Sequence, residues 1–390
     1  MVPKRGECSM TTDDTLVKPK VKIKVFGVGG GGNSVLMRMG QHNALDIELY
    51  AVNTDAKQLQ RVEKVGVNCI QIGEALTRGR GTGGNIQLGE QAAKNDMAKL
   101  QAAMNGADLV FITAGMGGGT GTGAAPIVAR LAKEMGILSV GVVTVPFSFE
   151  GNRKKKSAQD GITMMQSQMD ALIAVENDNL SKLPENRRMS LVQAFECADN
   201  ILKQAINCVA ELILTTGVIN VDFADVTTIF RQSESSDALL GIGVSDRSAV
   251  DAVKMAAESP LVDKDLSGAR GIILNLTGDS TLSLYDVDEA SRYIVKHTDP
   301  EVNIILGTVQ DESMKGKVQA TIIATDFADS VVMKAPTVKV PESAIKQETL
   351  QKETFQLETP SFMNKPKTEA AQPFAIPAFK LADGLDKDKQ

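Results

Sequence analysis

Tryptophan is absent from this 390-residue sequence, and histidine and cysteine are scarce, with two and four copies. His42 and His297 are too few for a metal site built from several histidines, and they leave little material for a Ser-His-Asp mechanism. The cysteines lie far apart and form no C-x-x-C pair. This spacing argues against a disulfide framework or a zinc site and favours free thiols.

Long apolar runs and an excess of positive charge are also missing. No run approaches the roughly 18 residues that a membrane-spanning helix needs, and the first twenty residues contain no apolar core of a signal peptide. The formal net charge of −6 argues against a protein that binds nucleic acid through its phosphates. We therefore expect a cytoplasmic protein that neither inserts into a membrane nor binds nucleic acid.

From residue 21 onward the sequence alternates between short apolar runs and segments with helical spacing. Runs of strand length occupy 21–28, 47–52, 67–72, 108–114, 137–145 and 170–175. Helical spacing separates several of them, at 86–104, 122–135 and 157–169. Strands that alternate with helices predict βαβ units. The expected fold class is therefore α/β, with a mostly parallel, Rossmann-like sheet and helices on both faces.

A long helix divides the chain. Residues 189–215 carry apolar side chains every three or four positions, which predicts a helix with one face in the core, and Gly217 is its expected end. Strand-like and helical stretches then alternate again and predict a second, smaller α/β domain. We expect a disordered extension at 1–20, a first domain at 21–188, the central helix at 189–216, a second domain at 217–330 and a disordered tail at 331–390.

The first glycine-rich turn, GVGGGGNS at 27–34, directly follows an apolar strand. Gly27, Gly29 and Gly32 satisfy the G-x-G-x-x-G pattern of dinucleotide-binding folds. Asp46 and Glu48 stand near the distance expected for a ribose-binding acid. An NAD(P)-dependent oxidoreductase is therefore one hypothesis. A tight strand-to-helix turn without a ligand is another, since this pattern alone is weak.

The second turn, GMGGGTGTG at 115–123, also stands between a strand and a helix. Bare backbone N–H groups at a helix N-terminus form a cradle for phosphate, and Thr120 and Thr122 can add hydroxyl donors. Two such turns on one sheet favour a nucleotide whose phosphates are held from both sides, and the sequence contains no P-loop pattern. A third glycine run, TRGRGTGGN at 77–85, is either a mobile lid over the phosphates or a flexible surface loop.

Ordered motifs over residues 21–330 resemble the tubulin/FtsZ family, and within it the bacterial division GTPases. The matching stretches are KVFGVGGGGN (24–33), AVNTDAKQL (51–59), LTRGRGTGGN (76–85), TAGMGGGTGTGAAP (113–126), PFSFEG (146–151), END (176–178), AFECADN (194–200), NVDFADV (220–226) and DLSGARGIILNLTG (265–278). The resemblance implies a GTP-binding α/β domain, a central helix and a C-terminal activation domain.

By this resemblance the protein would bind GTP or GDP, with Mg²⁺ held mainly by the phosphates rather than by protein ligands. Glu150 would contact the ribose, and Asn177, Phe195 and Asp199 would frame the guanine. A carboxylate at Asp199 suits guanine because it can accept from both N1–H and the exocyclic amine, although a solvated helix position is the alternative. The other implied nucleotide contacts are Gly30, Gly31, Gly32, Asn33, Ser34, Asn53, Gly81, Thr82, Gly117, Gly118, Gly119, Thr120, Gly121, Thr122, Gly123 and Lys154.

The resemblance assigns catalysis to Asn220, Asp222 and Asp225 in NVDFADV, which could otherwise be helix caps or turn formers. The two carboxylates would orient a water molecule against the γ-phosphate of GTP bound to the next subunit. Hydrolysis would then require head-to-tail contact between copies, and a contact of this kind that does not close produces a filament. The resemblance thus implies a homopolymer in the cytoplasm, at the division site beneath the inner membrane.

Several positions depart from the family pattern. Lys154 replaces an arginine near the phosphates or ribose, and Ser34 replaces a second asparagine. The other departures are Thr82, Ile86, Val145 and Glu176. Lysine keeps the charge of arginine but loses its bidentate fork. The departures bear on nucleotide affinity and turnover, and they motivate a second hypothesis: a GTP-binding filament component that hydrolyses weakly or not at all.

The tail contains FAIPAFK at 374–380, which resembles the family peptide that binds membrane-tethering division proteins. An apolar segment with a central proline in a disordered tail suits folding on binding, and we expect the contact around Ile376–Phe379. Ten residues follow it, whereas the family peptide usually ends the chain. Random apolar residues in a linker are therefore the alternative.

Overall fold

The structure, a computed structural model, describes residues 20–41, 45–182, 189–215, 221–233, 235–259, 261 and 266–327. The expectations for residues 1–19, for Gly217 and Asn220, and for the tail with Ile376–Phe379 lie outside these residues. None of the helices in the described ranges is long and apolar enough to cross a membrane.

The described residues contain ten strands and twelve α-helices. The strands are β1 (Ile23–Val28), β2 (Ile47–Asn53), β3 (Asn68–Gln71), β4 (Leu109–Gly115), β5 (Leu138–Val145), β6 (Ala171–Glu176), β7 (Asp237–Ser245), β8 (Ala269–Gly278), β9 (Asn303–Gln310) and β10 (Val318–Phe327). The helices are α1 (Gly29–Gln41), α2 (Ala56–Glu63), α3 (Glu74–Thr77), α4 (Ile86–Asn95), α5 (Met97–Met104), α6 (Gly119–Glu134), α7 (Asn152–Gln166), α8 (Asn177–Leu180), α9 (Leu191–Leu214), α10 (Phe223–Gln232), α11 (Ala249–Ala257) and α12 (Leu284–Lys296).

All ten strands belong to one sheet, in the order β3-β2-β1-β4-β5-β6-β7-β10-β8-β9. The first six strands are parallel to one another. β6 pairs with β7 through only two residue pairs, and this narrow link joins the two halves of the sheet. In the second half β10 is antiparallel to both of its neighbours, whereas β8 and β9 are parallel. The predicted α/β class with a mostly parallel sheet is confirmed.

Both faces of the first half of the sheet are buried. On β1, Val25 belongs to the hydrophobic cluster formed with α1, α9 and α10, whereas its neighbour Phe26 belongs to the cluster beneath α4 to α7. On β4, Phe111 and Val110 divide between the two clusters in the same way. Burial on both faces is typical of a parallel sheet covered by helices, and it explains why these strands read as continuous apolar runs.

The helix boundaries differ from the sequence expectations mainly at their starts. The predicted helix 86–104 is two helices that meet at Asp96, whose carboxylate accepts a hydrogen bond from the Gly73 N–H at 2.7 Å. α6 begins at Gly119 and α7 at Asn152, three and five residues earlier than predicted. Glycine and polar residues fill these first turns, so the apolar periodicity that marks a helix begins late.

Candidate functional site

The two glycine-rich turns lie side by side at one edge of the sheet. The parallel strands of the first half all end at this carboxyl edge, with β1 and β4 adjacent in its middle. The strand order reverses between them, and ligands of open α/β sheets bind in the crevice at such a switch point. A Cβ added at Gly29 would lie 2.7 Å from the Gly121 nitrogen, so the two turns are in direct contact.

The first turn leaves bare backbone exposed at its tip. α1 begins directly after β1, at Gly29, where a φ of +72° favours glycine. Gly30 and Gly31 are exposed, whereas Gly32 is buried, and a Cβ there would lie 2.3 Å from the Thr113 carbonyl oxygen. Gly30 and Gly31 therefore present backbone N–H groups at a helix N-terminus, which is an arrangement that binds anions.

Two buried asparagines tie this turn to the end of β2. With its amide oriented to satisfy its neighbours, Asn33 donates to the carbonyl oxygens of Gly27 at 2.7 Å and Gly29 at 3.1 Å and accepts from Asn53 Nδ2 at 2.9 Å. Asn53 also donates to Gln58 Oε1 at 2.9 Å. Both asparagines are 2% exposed. Their hydrogen bonds position the backbone of the turn.

The second turn exposes a single glycine. Within 117–123 only Gly118 is exposed, and it is the N-cap of α6 without any capping side chain. A Cβ added at Gly118 would meet nothing closer than the Gly115 carbonyl oxygen at 4.0 Å. The space in front of this helix N-terminus is therefore open to a ligand.

The two threonines of the second turn have partners within the protein. Thr122 Oγ1 accepts from the Gly117 N–H at 2.8 Å. Thr120 Oγ1 lies 2.7 Å from Thr54 Oγ1 and 3.5 Å from Thr82 Oγ1. Thr120 and Thr122 are only 8% and 1% exposed. What this turn offers a ligand is therefore chiefly backbone.

Packing requires the remaining glycines of the second turn. A Cβ at Gly119 would lie 2.8 Å from the Asn85 nitrogen, and one at Gly123 would lie 2.2 Å from the Ile86 carbonyl oxygen. These atoms belong to the start of α4, which crosses α6 at this point. Gly121 contacts the first turn, as described above. The many glycines in this stretch thus allow two close backbone contacts, one with the start of α4 and one with the first turn.

Aromatic side chains mark the end of the site formed by β6, α8 and α9. Phe195 is 41% exposed and packs edge-on against Phe147, with ring centroids 5.5 Å apart, and Phe147 stacks on Phe149 at 5.0 Å. Glu150 Oε1 accepts from the Phe147 N–H at 3.1 Å. Asn177 is 4% exposed, and its Oδ1 has no hydrogen-bond partner among the described residues. A buried acceptor without a partner is available to a ligand.

Asp199 joins this end of the site to α1. Its Oδ2 accepts from Arg38 Nε at 3.1 Å, and Arg38 also pairs with Glu196 at 3.4 Å. Burial raises the pKa of Asp199 to about 6, with Arg38 opposing the shift and Glu196 adding to it. The carboxyl group is thus mostly ionised at neutral pH and can accept hydrogen bonds.

A cleft of about 580 Å³ opens beside the second turn. It is lined by Gly83, Gly84, Asn85, Ile86, Gln87, Gly117, Arg153, Lys154 and Ser157. The loop that leads into this cleft contains two of the predicted residues, Gly81 and Thr82, and Gly81 has a φ of +76°. Lys154 Nζ bonds to Glu150 Oε2 at 3.0 Å and remains half exposed.

The acids that suggested a dinucleotide enzyme lie at the opposite edge of the sheet. Asp46 precedes β2 and pairs with Lys20, and Glu48 is the second residue of β2 and pairs with Lys24 at 3.3 Å. In a dinucleotide-binding fold the ribose-binding acid follows the carboxyl end of this strand. Asn53 occupies that end here. Asp46 and Glu48 therefore no longer support the hypothesis of an NAD(P)-dependent enzyme.

Asp222 and Asp225 are exposed and do not lie with the glycine turns. Both are at the start of α10, Asp222 as its N-cap, and Asn220 lies outside the described residues. The other end of α10 lies at the amino edge of the sheet, where Arg231 Nε is 3.6 Å from Asp170 Oδ1. Most of α9 separates the aspartates from the aromatic end of the site, since Phe195 to Leu214 corresponds to about 28 Å at roughly 1.5 Å per residue.

Several residues that shape the site were not predicted from the sequence. Gln58 and Phe147 lie within the quoted motifs AVNTDAKQL and PFSFEG, so those motifs could have indicated them. Arg38 carries no such signal, because it meets Asp199 only through the packing of α1 on α9, 161 residues apart in the chain.

Family models match both halves of the chain. The model of the tubulin/FtsZ family GTPase domain matches residues 22–185, and the model of the FtsZ family C-terminal domain matches residues 236–328. The two matches cover the glycine turns and the strands β7 to β10, respectively.

Solved structures of the tubulin/FtsZ family also resemble this chain. An FtsZ dimer from M. jannaschii, described as empty, is 40% identical with a TM-score of 0.75, over 80% of this chain and 89% of that chain. A mutant of the same FtsZ is 40% identical with a TM-score of 0.74, over 79% and 92%. CetZ2 from Haloferax volcanii, in a GTPγS-bound protofilament, shares the fold at 23% identity and a TM-score of 0.65, over 80% and 95%. With this identity over most of both chains, the protein belongs to the tubulin/FtsZ family.

Proposed function

We propose that this protein binds GTP at the carboxyl edge of β1, β4, β5 and β6 and hydrolyses it where two copies meet head to tail. One observation carries the proposal. The open glycine turns and the exposed residues Asp222 and Asp225 lie at opposite ends of α9. A chain arranged in this way can combine the two sets of groups only between copies.

The nucleotide would lie across the two turns. The N–H groups of Gly30, Gly31 and Gly118 would hold the phosphates, since these three glycines are exposed at two helix N-termini. At the other end, the unpartnered Asn177 Oδ1 and the Asp199 carboxylate would accept from the edge of guanine.

We expect Mg²⁺ to accompany the nucleotide. Among the residues that the structure describes, no three His, Cys, Asp or Glu side chains are grouped to hold a metal ion. Magnesium commonly takes ligands from substrate phosphates and water with few protein groups, so this site is compatible with it. When bound, the ion would neutralise negative charge on the phosphates.

For hydrolysis, Asp222 and Asp225 of one copy would orient a water molecule against the terminal phosphate held by the next copy. Both carboxylates are exposed, so the partner's pocket can reach them without unfolding α10. A head-to-tail contact uses two different surfaces, and repeating it without closure builds a filament.

The first experiment measures phosphate release and sedimentation against protein concentration. Turnover per subunit should rise with concentration. Asp222→Ala should keep its GTP affinity and lose turnover by about 100-fold or more, as expected for removing a group that positions the attacking water. Asp246→Ala serves as the control, because Asp246 is an exposed aspartate directly after β7. Wild-type turnover in Asp222→Ala would refute the assigned role.

A mixing experiment tests the role of a second copy directly. Asp222→Ala retains an intact pocket, and a variant with Gly118→Trp, which would fill the open space in front of α6, retains both aspartates. Each variant alone should be inactive. A mixture should regain part of the turnover, because the pocket of one copy meets the aspartates of the other. No recovery in mixtures that still co-assemble would contradict catalysis between copies.

A second candidate is a filament component that binds GTP but hydrolyses it weakly or not at all. Two departures favour it. Ser34 donates its hydroxyl to the Gly30 carbonyl oxygen at 3.2 Å, and Lys154 is bonded to Glu150. Sedimentable filaments with GTP bound, but without phosphate release, would support this candidate over the first.

We further propose that the filaments form the division ring, in the cytoplasm beneath the inner membrane. The support is the 40% identity to an FtsZ and the tail motif at 374–380, which would bind membrane-tethering proteins around Ile376–Phe379. A fluorescent fusion should mark the division site. Deletion of 374–380 should abolish that position and leave GTP turnover unchanged.

A further inference from the structure

The start of α7 carries four consecutive basic residues, Arg153 to Lys156, and no acidic residue lies in its first turn. Cations are unfavourable at a helix N-terminus because the N–H groups there already form the positive end of the helix dipole. Conflicts of this kind between a local rule and the sequence are expected at functional sites.

Two of the four charges are neutralised by nearby acids. Lys154 pairs with Glu150 at 3.0 Å, and Lys155 pairs with Asp178 at 3.2 Å. Arg153 and Lys156 are exposed, and the described part of the chain provides no ion pair for either. The uncompensated positive charge of this helix therefore resides on Arg153 and Lys156.

Only one of these two residues faces the cleft. Arg153 and Ser157 both line it, and residues four apart lie on one face of a helix, whereas Lys156 does not line it. The backbone of α7 lies directly on the second turn, since a Cβ at Gly117 would be 2.8 Å from the Lys154 carbonyl oxygen. Arg153 is thus held next to that turn.

The other walls of the cleft are also suited to an anion. They come from the exposed loop at Gly83 and Gly84 and from Asn85 to Gln87, which form the start of α4. The N-termini of α4 and α7 therefore meet at one cleft, beside Gly117 of the turn that precedes α6, and none of the lining residues is acidic. Convergent helix N-termini favour a negatively charged group.

The position of the cleft indicates which part of a nucleotide it would contain. None of the residues at the aromatic end, Asn177, Phe195 and Asp199, lines it. The Glu150–Lys154 pair connects the aromatic end to the cleft, because Glu150 bonds to Phe147 on one side and to Lys154, which lines the cleft, on the other. With the base at the aromatic end, the cleft lies at the far end of the phosphate chain.

We infer that Arg153 binds the terminal phosphate of GTP and makes this protein distinguish GTP from GDP. The inference rests on the proposed function. A guanidinium can donate two parallel hydrogen bonds to phosphate oxygens. Lys154 also lines the cleft, but its ammonium is bonded to Glu150, so we expect it to contribute equally to both nucleotides. Arg153 and Lys154 would thus both contact the nucleotide, whereas the family resemblance assigns this contact to position 154 alone.

The test compares affinities for a non-hydrolysable GTP analogue and for GDP by calorimetry, using the full chain below the concentration at which it assembles. Arg153→Gln should raise the Kd for the analogue about tenfold, as expected for losing a charge-assisted bidentate contact, and the Kd for GDP less than twofold. Lys156→Gln removes the same charge from the same helix and should change neither. Lys154→Gln should change both affinities by the same factor.

Arg153→Lys adds a variant that keeps the charge and loses the fork, and its Kd for the analogue should lie between those of the wild type and Arg153→Gln. An equal loss of affinity for both nucleotides in Arg153→Gln, or behaviour identical to Lys156→Gln, would overturn the inference and leave the proposed function intact. A wild-type chain that binds neither nucleotide would instead overturn the proposed function, and the inference with it.

Discussion

The two glycine-rich turns have similar compositions but use their glycines differently. In the first turn, two exposed glycines, Gly30 and Gly31, form the tip. In the second turn only Gly118 is exposed, and Gly119 and Gly123 allow α6 to pack against the start of α4. A high density of glycine therefore indicates that backbones approach closely, and it does not by itself show how many glycines contact a ligand. The following predictions separate packing glycines from ligand-facing ones.

The largest effect is expected for Gly123→Ala. The added Cβ would lie 2.2 Å from the Ile86 carbonyl oxygen and 2.6 Å from the Glu90 nitrogen, which are backbone atoms that cannot rotate away. We expect the free energy of unfolding to fall by about 3 kcal/mol or more, measured by denaturant titration. A loss below about 0.5 kcal/mol would show that α4 and α6 separate easily and would remove the packing explanation.

Gly118→Ala should show the opposite behaviour. Its φ of −85° suits alanine, and the new Cβ would meet only the Gly115 carbonyl oxygen, at 4.0 Å. Stability should stay within about 0.5 kcal/mol of wild type, while GTP affinity falls about tenfold because a methyl group enters the space of the phosphates. Calorimetry measures the affinity. An unchanged Kd would mean that this N-terminus does not contact the nucleotide.

Thr122→Val tests whether a threonine hydroxyl of the second turn supports packing or ligand binding. The change removes the acceptor of the Gly117 N–H, so we expect a loss of about 1 kcal/mol in stability, and GTP affinity within about twofold of wild type. A thermal or denaturant transition and a Kd decide between the two roles. Normal stability with much weaker binding would favour the phosphate contact suggested by the sequence.

The smallest expected effect concerns pH at the guanine end. The pKa of Asp199 is raised from 3.8 to about 6, so the ionised fraction falls as the pH is lowered through 6. GTP affinity should drop about fourfold between pH 7 and pH 5.5. Asp199→Asn should remove this dependence. In the unliganded protein, the contribution of Asp199 to stability should change with pH in the opposite direction to GTP affinity. A raised pKa in the folded state makes its contribution to stability larger as the pH falls from 6 towards 4.

Part of this architecture follows from local sequence. The strands around β1 and β4 are continuous apolar runs buried on both faces, and α9 has a long, regular apolar stripe, so both were predictable within a few residues. The start of α1 was harder, because GGGGNS lacks apolar periodicity although it begins a helix. The contact of Arg38 with Asp199 was not predictable from spacing, since it depends on the packing of α1 against α9.

The sequence alone determined the α/β class, the two glycine turns and the resemblance to a family, because these depend on local periodicity and on the order of motifs along the chain. Only the tertiary structure decided which glycines face open space and which face another backbone. It also decided that Asp199 meets Arg38 and that the first glycine turn contacts the second at Gly29 and Gly121. The physical reason is that these features join residues distant in the chain, and the packing of helices on the sheet sets their separation.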